Sequence, residues 1–104
     1  MSFRRRRFGA LIDRQLALWA DEHAGFLGDV DAAERAYDDA ERDEAEERYG
    51  DFLDLVETGT ELLAAVRDAY AKTLDADTAA AYDAEFNAAV VRRWPRFGLE
   101  IEDA

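Results

Sequence analysis

From Tyr49 to Leu74 the chain carries one unbroken stripe at helical spacing: Tyr49, Phe52, Val56, Gly59, Leu63, Val66, Tyr70 and Thr73. Leu53, Leu62 and Leu74 widen it. Residues three and four apart share a helix face, so the stripe predicts an amphipathic helix whose apolar side must be covered by other segments. Thr58 and Glu61 have the spacing of a capping box. The stripe keeps its phase through them, so no break is expected at residues 57–61.

The flanking segments show the same period. Phe8, Leu11, Ile12, Leu16, Trp19 and His23 predict a first helix over Phe8–Ala24, with Phe26 and Leu27 just beyond and Arg14, Asp21 and Glu22 facing outward. Gly25 and Gly28 bracket a predicted turn, with Asp29 as the next N-cap. Val30, Ala33, Tyr37 and Ala40 resume a thin helical face, followed by the strong helix former AERDEAEER, which has nothing large to bury. Pairs such as Asp38 with Arg42 and Glu44 with Arg48 fit a solvated helix there. Tyr82, Phe86, Ala89, Val90 and Trp94 predict a last helix over about 78–94, capped by Asp75 or Asp77 after a turn at 74–78 and ended by Pro95. In the tail, Leu99-Glu100-Ile101-Glu102 alternates, which favours an extended segment laid against the bundle.

The stripe beginning at Tyr49 is one residue out of phase with the frame 30–33–37–40. One residue turns a helix face by about 100°. Two all-α, antiparallel arrangements remain. Either a continuous helix runs over about 30–73, with Gly50 and Gly59 tolerated, and two shorter helices pack on its halves; or the chain turns at Tyr49-Gly50-Asp51 and makes four helices. The continuous helix is slightly favoured, because nothing near Gly50 looks like a loop. It would be about 66 Å long, too long for two shorter helices to cover, and so predicts a homodimer.

Composition adds bounds. The 104 residues suit one domain, with residues 1–7 a basic arm and 95–104 a tail. No cysteine is present, which excludes disulfides and thiolate chemistry. No apolar run is long enough to span a bilayer. Arg5-Arg6-Arg7-Phe8 loosely resembles a twin-arginine export signal, but Asp13, Arg14, Gln15 and Asp21 interrupt the apolar segment such a signal needs. A folded first helix in a cytoplasmic protein is expected. The net charge is −12, from 25 acidic against 13 basic residues, and Lys72 is the single lysine. That pattern fits a cytosol held at high salt, where surface carboxylates keep a protein hydrated; GC-rich coding gives the same Arg-for-Lys bias. The acidic bulk surface repels nucleic-acid phosphates.

Seven of the basic residues sit at the two ends: Arg4, Arg5, Arg6 and Arg7 between Phe3 and Phe8, and Arg92, Arg93 and Arg96 around Trp94 and Phe97. Residues 8–91 carry 22 acidic and 6 basic groups. Both arrangements place the two Arg-aromatic ends together beside residues 41–50. There they either neutralise local carboxylates or form a docking pole for an anionic partner, whether acidic protein, RNA or DNA.

Catalytic raw material is sparse: one serine, at position 2, and one histidine. The Glu-x-x-His pairs of di-metal bundles are absent, since Ala20 stands three residues before His23. A lone histidine on an apolar face is expected to be a satisfied core residue. Glu41-x-x-Glu44-x-x-Glu47 followed by Gly50-Asp51-Phe52-Leu53 faintly resembles the magnesium-binding helices of MazG-like all-α nucleotide pyrophosphohydrolases. That resemblance implies a Mg²⁺ carboxylate site acting on nucleotides, although Glu47 and Asp51 are four apart where the family has three. The residues themselves favour a module that works by contact, with no cofactor and no catalytic residue. Its seam (Tyr49, Phe52, Leu53, Val56, Leu63, Val66, Tyr70) would serve as core or dimer face.

Overall fold

A computed structural model describes residues 7–103, apart from the side chains of Leu99 and Asp103. The fold is all-α, with no strand among the described residues. The helices are α1 (Gly9–Glu22), α2 (Ala24–Asp38), α3 (Ala45–Ala71), α4 (Ala76–Arg93) and α5 (Gly98–Asp103), with a 3-10 turn at Pro95–Phe97.

α3 is the spine. Its 27 residues make a rod about 40 Å long. α2 returns antiparallel along its first half: Tyr37 meets Tyr49 at 5.0 Å between ring centroids, and Phe26 lies against Gly59. α4 returns antiparallel along the second half, where Tyr70 meets Tyr82 at 4.9 Å and Arg67 reaches Asn87 at 3.0 Å. The predicted stripe is therefore one helix face, continuous through Gly59. Gly59 is more than tolerated: a Cβ there would lie 2.6 Å from the Phe97 ring and 3.2 Å from Phe26.

The chain matches neither expected arrangement between residues 30 and 73. Gly50 lies inside α3, and the continuous helix over 30–73 is interrupted at residues 39–44. The cause is electrostatic. Asp38, Asp39, Glu41, Asp43 and Glu44 crowd carboxylates at the C-terminal end of α2, where the helix dipole disfavours negative charge. Glu46 and Glu47 then fall in the first turn of α3, where the dipole favours them. The link closes with tight backbone bonds, Ala40 N–H to Tyr37 O at 3.2 Å and Glu44 N–H to Glu41 O at 2.9 Å. No residue there has a positive φ. The phase slip in the sequence is the trace of this reversal.

Three other boundaries differ from expectation. α1 gives way to α2 at His23, so Gly25 and Gly28 lie inside α2 and Asp29 is no cap. The His23 ring stacks on Trp19 at 4.7 Å, and its Nδ1 donates to the Trp19 carbonyl at 2.9 Å, which fixes the bend. α4 starts two residues earlier than predicted. Asp75 caps it by accepting the Thr78 N–H at 2.9 Å. That bond, with the Thr78 hydroxyl second, holds the Asp75 carboxyl below its ordinary range. Past Pro95 the tail is helical, not extended: Phe97 and Ile101 are four apart and both fully buried, a helix period that outweighs the short alternation.

The core gathers Ile12, Leu16 and Trp19 of α1, Val56, Leu63 and Ala64 of α3, Tyr82, Phe86, Ala89 and Val90 of α4, and Phe97 and Ile101 of the tail. Tyr82 donates its hydroxyl to Gln15 Oε1 at 2.9 Å, and burial raises its pKa.

Candidate interaction surface

Core and arm part company along α3. From Val56 onward the stripe is buried at Val56, Gly59 and Leu63 and half-buried at Val66 and Tyr70. Before Val56 no residue from 31 to 55 is buried, in either helix of the hairpin. Phe52 and Leu53 are half-buried, while Tyr37 and Tyr49 remain 36% and 44% exposed. The distal α2–α3 hairpin is thus an arm held mainly by its own two helices, in a molecule 50 Å long and 22 Å thin. Residues 31–55 carry eleven carboxylates against three arginines, a net −8 of the chain's −12. The acidity is concentrated here, not spread evenly as surface hydration alone would require.

One strip of the arm continues a surface that is covered lower down. Leu53, Thr60 and Arg67 are seven residues apart and share a side of α3, with Tyr49 four before Leu53. Thr60 and Arg67 are buried, at 3% and 6% exposure. Arg67 donates to Asn87 Oδ1 of α4 at 3.0 Å and to the Ile101 carbonyl of α5 at 3.1 Å, and pairs with Asp68 at 2.9 Å. α4 ends at Arg93, and Phe97 covers Gly59. Past that level Leu53 is half-buried and Tyr49 is 44% exposed. The sequence reading missed Thr60 and Arg67. Their signal was a polar and a charged residue a heptad apart, in register with an apolar one.

The Arg-aromatic residues are placed differently from expectation. Arg4, Arg5 and Arg6 lie outside the described residues. Arg7 sits over the Phe8 ring at 5.5 Å. The Phe8 N–H bonds Glu85 at 3.0 Å, beside Tyr82. Trp19, at the other end of α1, meets Trp94 at 5.2 Å. α1 therefore runs parallel to α4, and its start lies against the middle of α4, away from Arg92, Arg93, Trp94, Arg96 and Phe97. The predicted convergence of the two ends does not occur, because α1 bends into α2 at His23 without reversing. Arg96 pairs with Asp31 at 2.7 Å and Glu34 at 3.0 Å, at the base of the arm and not within 41–50. Phe97 is buried and Trp94 half-buried. Arg92 and Arg93 are exposed, and neither joins an ion pair among the described residues. The expected pairs of Asp38 with Arg42 and Glu44 with Arg48 give way to Arg48 with Asp51, an exposed contact at 3.8 Å.

The carboxylates of the magnesium-site resemblance are split by the fold. Glu41 and Glu44 fall in the link and Glu47 in α3. Among the described residues no three His, Asp or Glu side chains are grouped to hold a metal ion. A groove lined by Gln15, Leu18, Trp19, Glu22 and Val66 encloses about 140 Å³, below the ~300 Å³ at which small-molecule pockets begin. No helix among the described residues is long and apolar enough to cross a membrane.

Comparison of the chain with family models, curated proteins and solved structures finds no match.

Proposed function

We propose that this protein is a cytoplasmic interaction or assembly module that works by contact, without chemistry of its own, through the α2–α3 arm. The observation that carries the reading is the contrast within one helix. The same stripe on α3 is buried at Val56, Gly59 and Leu63, whereas before Val56 none of it is buried and Tyr49 is 44% exposed. Exposed apolar surface of this kind, rimmed by charge, marks contact sites, and the Tyr37–Tyr49 pair supplies the aromatic anchors such sites favour.

The test is site-specific photo-crosslinking in the producing cell. A photoreactive residue at position 37 or 49 should crosslink to another polypeptide, and Leu53→Glu in the same chain should abolish the product while helicity is retained. The same probe at exposed Ala80, on α4, should give little. Equal crosslinking at 80 and 49, or none at either arm position, contradicts the reading.

A further inference from the structure

We infer that the occupant of the arm is a second copy of this chain, bound reciprocally so that two arms lie antiparallel and form a four-helix bundle. The inference rests on the arm being a contact surface. It adds the identity and register of the partner.

Two observations define the occupant. The first is continuity. On α3 Arg67 is held by α4 and the tail and Thr60 is buried, and one heptad further up the strip continues as half-buried Leu53 and exposed Tyr49. What fits there is another helix, laid along the line that α4 abandons at Arg93. The second is charge. Arg92 and Arg93 end α4 near the level of Gly59, where Phe97 packs. They are exposed and available to pair with anionic groups. About 21 Å further along, the length of fourteen helical residues, exposed Asp43, Glu46 and Glu47 at the arm's tip offer such groups.

A second arm running antiparallel satisfies both ends together. Its acidic tip reaches Arg92 and Arg93 of the first copy, while its own Arg92 and Arg93 receive the first copy's tip. This is an isologous two-fold interface, in which residue i meets j and j meets i. Any register that brings the two tips together stacks like charge on like charge, so electrostatics selects the antiparallel one. Tyr37, Tyr49 and Leu53 lie between the charged ends and supply the apolar contact.

The experiment is charge-reversal complementation, read by sedimentation at micromolar protein and about 0.15 M salt, where the screening length is about 8 Å. The wild-type chain should sediment as a dimer. Asp43→Arg/Glu47→Arg should be monomeric, as should Arg92→Glu/Arg93→Glu, each with wild-type helicity. Mixed in equal amounts, the two variants should recover the dimer, because each then offers what the other lacks. A monomeric wild type overturns the inference. So does a dimer that ignores both reversals, or a mixture that stays monomeric. Should a reversal unfold the chain, a second variant decides. Glu47→Cys/Arg92→Cys, in a protein without native cysteine, should give covalent dimer with a short bis-maleimide, and Glu47→Cys alone should not. A monomer whose arm still crosslinks to a different polypeptide in the cell would sink this inference and leave the contact role standing. A chain that crosslinks to nothing would remove both.

Discussion

The two halves of α3 have similar residue patterns and opposite fates. Below Val56 the stripe is enclosed by α1, the start of α2, α4 and the tail, and its special positions are used: Gly59 admits Phe97 beside Phe26, and Arg67 holds α5. Above Val56 no stripe residue is buried, and Tyr49 meets Tyr37 of α2. A helical period shows that a face is apolar; it does not show how many neighbours will arrive to cover it. That number is set by where other elements stop, here by Pro95 and the end of α4.

The sharpest way to break this contrast is to truncate one residue in each half. Leu63→Ala should cost about 3–5 kcal/mol in chemical denaturation, since the side chain is fully buried. Tyr49→Ala should stay within about 1 kcal/mol in the isolated monomer, as an exposed substitution. Comparable costs would mean that the arm is part of the core.

Arg67→Met comes next. It leaves Asn87 and the Ile101 carbonyl without their donor, and the expected loss is about 2–4 kcal/mol. Proteolysis of the last residues should accelerate with it if Arg67 anchors α5.

The glycines provide a subtler pair. Gly50→Ala meets nothing within 4 Å and should stabilise by up to about 1 kcal/mol through helix propensity. Gly59→Ala drives a methyl into two rings, one of them fully buried, and should destabilise by about 1–2 kcal/mol despite the same propensity gain. Opposite signs are the expected result of thermal denaturation.

The smallest effect belongs to the α4 cap. The folded Asp75 carboxyl is held below its ordinary 3.8 by the Thr78 N–H. Its contribution is therefore present above that value and is lost as pH falls through the lower, folded one. Asp75→Ala should lower the melting temperature at neutral pH and flatten the acid limb of a stability–pH curve. A melting temperature unchanged at pH 7 would show that the cap is not used.

Much of the fold was legible because apolar period and cap chemistry are local. The α3 face, the Asp75 cap and the end of α4 before Pro95 all follow from residues within a turn or two. The reversal at 39–44 was legible only as a phase slip. It was misplaced because no Gly or Pro marks it and because its cause, a clash of carboxylates with a helix terminus, depends on where the helix has already ended. The parallel run of α1 beside α4 was beyond local reading. It follows from the bend at His23, fixed by a stacked Trp19 that the sequence marks only as one more apolar residue. Arg67 was hidden for the opposite reason: a charge in an apolar register looks like noise until its partners, 20 and 34 residues away, are known.

The most direct measurement is amide hydrogen exchange followed along the chain as a function of protein concentration. The account predicts that in dilute protein residues 31–55 exchange much faster than residues 56–71 and 82–93, and that their protection alone rises as concentration increases. Protection of the arm equal to that of the core at the lowest concentration, with no further change, would contradict it.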